Sequence, residues 1–486
     1  MSKWIKRVFL SVGMFGAALA ALVVASSTAS AQVGGPSGGA AIFEACPDPA
    51  TEPVDVSTPC LGIVSFDSAV SRDERSVIIR GAGAAVRFNF TIVDAAAVMV
   101  PNEAAYWALA DDPDVTAFTP DRPVQAFAPP GSCSPWPECK DAEADTGDGE
   151  TVQTVQTLPS GVERIGGYAT GYTGTGVGVA IVDTGLDFNH VDLNVAVPCF
   201  DAFPGGDCGD GNGHGTHVGG IVAALDDGFV DVVGVAPMAT LYAVRVLDDT
   251  GSGTDSTVIA GLNWVVRTLD PDDPDYVVGP PIQVVNISLG RPSSLDDSLM
   301  HTAVQAVVNA GVTVVVSAGN DPFSEISQIV PAGFSEVMAV ASTTALAGGN
   351  RCRSYSGFIA ADTASYFTTD GADVAISAPG ARQENISRGC RAQSVGILSL
   401  ALGGGTTRKS GTSMAAPHVA GVVALVKQAC ATLSPDQVRG IITHQDNADG
   451  AGSLPLDSPT GGYSFDGTRE GIVYAPGAVT AACPLS

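Results

Sequence analysis

Basic residues are scarce in this 486-residue chain: 23 Lys and Arg stand against 51 Asp and Glu, for a formal net charge of −28. A surface that acidic repels phosphate backbones, which excludes nucleic acid as a partner and leaves a solvated acidic exterior as the plain reading. Aromatics are also few, at 6%, so the core must be built from the aliphatic part of the 45% hydrophobic residues. No C-x-x-C occurs, which removes redox dithiols and zinc ribbons from consideration. Long apolar runs are lacking except for one, Val8 to about Ala25. It follows the basic residues Lys3, Lys6 and Arg7 and precedes Ala29-Ser30-Ala31. A basic start, an apolar stretch and a small-residue cleavage pattern make a secretory signal, so residues 1–31 are expected to be removed, leaving a secreted chain with no membrane span.

The ten cysteines suit an exported protein. They fall in local pairs: Cys46 and Cys60, Cys133 and Cys139, Cys199 and Cys208, Cys352 and Cys390, Cys430 and Cys483. Pairing of neighbours is the simplest scheme, but sequence does not decide connectivity.

The organisation changes along the chain. Residues 41–128 read as a small α+β region, with an alternating strand at Ala85–Ile92 and a helix at Asn102–Ala110. Residues 129–160 form a linker containing the acidic run Asp141–Glu150. From 161 to 486 apolar strands alternate with amphipathic helices, the pattern of an α/β domain with a mostly parallel, doubly wound sheet. Predicted strands include Val177–Val182, Leu241–Leu247, Gln283–Leu289 and Val312–Ser317. Predicted helices include His214–Leu225, Asp255–Leu269, one from Ser294 (with Asp297 in a capping box) to Ala310, Ser413–Leu433, and one opened by Ser434-Pro435.

Three polar segments fall at the ends of these elements. Val182-Asp183-Thr184-Gly185 puts an acid at the end of a buried strand, where α/β folds place their sites. Gly211-Asn212-Gly213-His214-Gly215-Thr216-His217 sets a histidine at a helix start, and Gly411-Thr412-Ser413-Met414-Ala415 sets a serine at another. Free N–H groups at a helix N-terminus favour developing negative charge. A serine hydroxyl needs a base to take its proton, and the base needs a carboxylate to hold its tautomer, so the trio Asp183, His214 and Ser413 reads as an acyl-transfer site. His217 and His418, lying in helices beside these residues, read as packing residues.

The three segments, in the order Asp, His, Ser, resemble those of the subtilisin-like serine peptidases, over roughly Val177 to Val479. The resemblance implies an endopeptidase acting on protein or peptide substrates as a monomer. It also implies that Asn320, in Ser317-Ala318-Gly319-Asn320, donates to the oxyanion, and that Ser288-Leu289-Gly290 and Ser317 to Gly319 bind the substrate main chain. It further implies an inhibitory propeptide before the linker, cut between about Pro120 and Ile165. No cofactor is implied for the chemistry. A structural calcium is implied at Asp192, Asp226 and Asp227. Ile329, if it lines the main specificity pocket, favours small or medium apolar side chains. Met414 is an oxidation target beside the nucleophile. A selective maturation protease and an inactive binding protein on the same scaffold are the rival readings; the G-x-S-x-G elbow of another hydrolase class is absent around Ser413.

Overall fold

The computed structural model describes residues 44–48, 53–127, 156–229, 231–354, 356–451 and 470–483. The expected signal segment and most of the acidic linker, with Cys133 and Cys139, lie outside the described residues. Among the described residues no helix is long and apolar enough to cross a membrane.

Runs of Val, Ile and Ala build a nine-stranded sheet whose order is Asp449–Ala451, Gly471–Ile472, Ile376–Ala381, Met338–Thr344, Thr313–Ser317, Ile282–Ile287, Gly178–Asp183, Thr240–Arg245 and Val195–Asp201. All neighbours run parallel except the first two. Side chains alternate between its faces. Val179 and Ile181 point into one core, shared with helices His214–Ala223 and Thr412–Ala429. Ala180 and Val182 point into the other, shared with helices Asp255–Arg267 and Ser298–Asn309. The sheet is therefore doubly wound, as the sequence predicts. Gly178–Asp183 comes first in the chain yet sits inside the sheet, so successive strands leave it on one side and then the other, and a crevice opens at its carboxyl end. Asp183 is its last residue.

A smaller α+β unit precedes this domain. Cys60–Phe66, Ala85–Asn89, Ala95–Val100 and Val115–Pro120 form its antiparallel sheet, and Arg72–Gly81 and Glu103–Ala110 are its helices. One face holds its own core around Val64, Ile79, Tyr106 and Leu109. The other, with Ile63, Phe90, Ala95 and Ala97, joins the core that contains helices Asp255–Arg267 and Ser298–Asn309. Polar contacts fix the docking. Thr91 N donates to Asn263 Oδ1 (2.6 Å), and Asp121 accepts from Ser256 N and Ser256 Oγ (2.8 and 2.7 Å), which places a carboxylate at the positive end of helix Asp255–Arg267.

Four of the five neighbouring cysteine pairs are joined: Cys46–Cys60, Cys199–Cys208, Cys352–Cys390 and Cys430–Cys483. Helix Pro435–Thr443 has the expected Ser434 cap with Gln437 completing the box. The helix predicted from Ser294 begins instead at Ser298. Ser294 does bond Asp297, but Asp297 is also held by Arg291 Nη2 (2.7 Å), whose guanidinium grips Asp255 as well. That ion pairing holds residues 294–297 outside the helix.

One buried acid carries a consequence for stability. Burial pushes the Glu384 carboxyl up to about 8, although Tyr366 N donates to it. Its folded value exceeds its unfolded one, so its contribution is fully present below about pH 4.5 and is lost as pH rises toward 8. Replacing Glu384 with Gln is expected to remove this part of the decline in Tm between pH 5 and 8, by several degrees, as read by thermal melts across that range.

Candidate active site

Asp183 and His214 meet across the crevice. His214 is the first residue of its helix, entered through Gly213 at φ 90°, a left-handed conformation that favours glycine. Its Nδ1 lies 2.8 Å from Asp183 Oδ1 and 3.0 Å from Oδ2, and Asp183 Oδ1 also accepts from Thr184 N at 2.8 Å. Both side chains are buried. The carboxylate thus sets the proton on Nδ1 and leaves Nε2 as the basic atom; Nε2 is buried with no hydrogen-bond partner.

Ser413 is the second residue of helix Thr412–Ala429, after Gly411 at φ 151°. Its Oγ lies 3.2 Å from the Ser288 carbonyl. Pro417 sits inside this helix. It has no N–H to offer the Ser413 carbonyl four residues earlier, and Ser288 Oγ donates to that carbonyl instead, at 3.1 Å. Ser288 Oγ in turn accepts from Asn286 Nδ2 (2.9 Å).

Asn320 turns its amide by a similar device. Its Oδ1 accepts from Thr412 N and Thr412 Oγ1, both at 2.9 Å. Nδ2 is left buried without a partner, 3.1 Å from where a Cβ on Gly411 would stand. A donor held in place with nothing to donate to is what an oxyanion requires. Asn320→Ala is expected to lower kcat by about 10²–10³-fold with KM little changed, measured on a peptide substrate.

The crevice is not empty. Residues Pro123–Ala126, just past the small unit, form a strand between two edges: Ser252–Thr254 on one side and Leu289–Pro292 on the other, both antiparallel. Leu289 faces Ala126 and Gly290 faces Gln125. The Phe127 carbonyl oxygen then lies 3.4 Å from Ser413 Oγ. Ser317 and Ala318 are buried at the end of their strand and Gly319 N is taken by Thr412 Oγ1; none of the three pairs with residues 123–126. Sequence reasoning missed Thr412, the edge strand Ser252–Thr254 and Asp210. The Gly251-Ser252-Gly253 run and an acid four residues before His214 were the available signals.

His217 and His418 are buried, and burial holds His217 well below its ordinary value and His418 down at about 4, so both are neutral. Their ring nitrogens meet the carbonyls of Ile397 and Met414, a packing arrangement. Met414 is buried beside Ser413.

The expected metal set is gathered only in part. Asp226 and Asp227 are exposed, Asp227 accepts from Phe229 N, and among the described residues no three carboxylates, histidines or cysteines form a cluster. Asp192 is buried and its carboxyl is pushed up to about 7, first by burial and then by Asp231 and Asp227. The carbonyls of Leu225 and Val232 accept from Gln156 Nε2 beside it. Gln156 Oε1 accepts from Gly228 N, so turning the amide would exchange that bond for a further oxygen beside the Asp192 carboxylate and the two carbonyls; these are hard-oxygen groups of the kind calcium takes, but the described residues show no metal site.

Such a fold and crevice define a serine hydrolase on a doubly wound, mostly parallel sheet, with the serine at a helix N-terminus. Residues 174–461 match the Peptidase_S8 subtilase family. The chain is 31% identical over 385 residues to subtilisin E of Bacillus subtilis, covering 78% of this chain and 82% of the relative. It is 36% identical over 293 residues to alkaline elastase YaB of a Bacillus strain, covering 59% and 65%. Among solved structures, a cold-adapted subtilisin-like serine proteinase matches at 30% identity with a TM-score of 0.50, covering 65% of this chain and 97% of the other. Fervidolysin from Fervidobacterium pennivorans shares the fold at 24% identity and TM-score 0.61, covering 88% and 62%. The chain belongs to the subtilase family, and it is a serine-type endopeptidase.

Proposed function

We propose that the protein is a secreted endopeptidase made as a zymogen, with Asp183, His214 and Ser413 as its triad and Asn320 as oxyanion donor. The observation that carries the reading is the strand Pro123–Ala126, laid along both edges of the crevice with the next carbonyl at Ser413 Oγ. An extended peptide held by main-chain pairing is how a general protease takes substrate. The same strand, still attached to its own docked unit, blocks that crevice, so residues 41–128 serve as an intramolecular inhibitor.

In catalysis His214 Nε2 takes the Ser413 proton as Oγ attacks the scissile carbonyl carbon. Asn320 Nδ2 and the Ser413 N–H receive the oxyanion, His214 returns the proton to the leaving amine, and water releases the acyl group by the same route. Asp183 holds the imidazole throughout. No cofactor enters these steps.

The test is to express the whole chain and follow processing, casein digestion and labelling by a serine-reactive phosphonate. Processing with casein digestion supports the reading. Processing that spares casein favours a selective maturation protease. Failure to label after processing leaves only a binding protein. Calcium, if seated by Asp192, Leu225 O, Val232 O and Gln156, would serve stability. Added calcium is expected to raise Tm, by the equivalent of about 2.7 kcal/mol at a hundredfold excess over Kd, and Asp192→Asn is expected to abolish that rise.

A further inference from the structure

We infer that the bond cut first is Phe127–Ala128. This rests on the zymogen reading. In the strand bound in the crevice, Val124 is 1% exposed and shares the catalytic domain's core, Gln125 faces solvent, and Ala126 and Phe127 are half-buried against the same core. The Phe127 ring tip lies 2.5 Å from where a Cβ on Gly290 would stand. Glycine at 290 is thus what makes room for a phenyl ring, larger than the side chains expected from Ile329. Phe127 O is the carbonyl at Ser413 Oγ, and it lies 3.7 Å from the same Gly411 point that Asn320 Nδ2 approaches. Ser413 Oγ forms a bond to the Phe127 carbonyl carbon and the C–N bond to Ala128 breaks. The serine proton leaves with the Ala128 amine through His214, and one water then frees the Phe127 carboxylate.

Time-resolved mass spectrometry of the full chain, beside its Ser413→Ala variant, tests this. The first new N-terminus is expected at Ala128, with the variant uncut. Phe127→Asp is expected to slow or displace the first cut at least tenfold, while Val77→Ser, at an exposed position of helix Arg72–Gly81, leaves it unchanged. A first cut elsewhere that depends on Ser413 overturns the bond and leaves the zymogen reading standing. A chain that digests casein uncut overturns the zymogen reading. Cutting of the Ser413→Ala variant at Ala128 overturns self-processing at that bond.

A separate observation assigns a positioning role to Asp210. This buried carboxylate accepts five hydrogen bonds: Oδ1 from Thr184 Oγ1 (2.9 Å), Asn212 N (2.9 Å) and Gly213 N (2.7 Å), and Oδ2 from Thr216 N (2.8 Å) and Thr216 Oγ1 (2.7 Å). Thr184 follows Asp183 and itself accepts from Gly215 N (2.9 Å). Asp210 therefore ties the strand end that carries Asp183 to the helix start that carries His214, without touching substrate. An amide in its place would turn NH₂ toward N–H donors on one side.

Asp210→Asn is expected to lower kcat 10–100-fold with KM unchanged and Tm lowered by a few degrees, and Asp210→Glu to recover part of kcat. Active-site titration with the phosphonate sets kcat per folded site. A loss that vanishes on this scale, or one confined to KM, overturns the role. If Asp210→Asn fails to fold, Thr184→Val, which removes the bond to Asp210 together with the one from Gly215 N, must show the same kcat loss for the role to stand.

Discussion

Ser413→Ala is expected to accumulate as full-length precursor and to lose on the order of 10⁶ in kcat against peptides, the scale set by removing one member of a triad that works as a unit. The loss should come without unfolding. Only Oγ is removed, with its contacts to the Ser288 and Phe127 carbonyls at 3.2 and 3.4 Å. The Ser413 carbonyl keeps its donor, Ser288 Oγ, so the helix start survives. A variant with unchanged Tm that still processes itself would show that another group is the nucleophile.

Asp183→Asn is expected to cost about 10⁴ in kcat at neutral pH with the fold retained. Asp183 Oδ1 accepts from both His214 Nδ1 and Thr184 N, so an amide oxygen placed there keeps the backbone contact and leaves NH₂ at the Oδ2 position, 3.0 Å from Nδ1. With the amide reversed, NH₂ faces both donors. Either arrangement weakens the hold on the tautomer that leaves Nε2 basic. The main-chain oxygen of Asp183, which accepts from Val246 N and Leu247 N, is untouched, so the strand end stays in place. Comparable kcat in wild type and variant, on a substrate whose chemical step limits the rate, would deny Asp183 its role.

What the sequence discloses about this molecule is what repeats or ends locally. The unbroken apolar run Val177–Val182 marks a strand buried on both faces, and Asp183 at its end marks the crevice. The Ser434-Pro435 start is legible because the cap and its partner are three residues apart. The start at Ser298 is not, because Asp297 answers to Arg291, whose grip on Asp255 comes from folding. The strand Ser252–Thr254 has no side-chain pattern, since main-chain pairing with residues 123–125 defines it. Asp210 is silent for the same reason: three of its five donors are backbone N–H groups. The three aspartates of the expected metal set are not gathered: Asp226 and Asp227 are exposed while Asp192 is buried, and no sequence motif displays the Leu225 and Val232 carbonyls that Gln156 Nε2 joins beside it.

Ser288 meets Ser413 twice, its hydroxyl on the Ser413 carbonyl and its own carbonyl beside the Ser413 hydroxyl, and the next residue begins the edge on which residues 123–126 lie. The Ser413 hydroxyl and the bound strand are therefore measured from a common datum. A peptide of any sequence that completes the ladder arrives at the same distance from that hydroxyl. Alignment error between the two is confined to the span of one residue, whatever side chains the peptide carries.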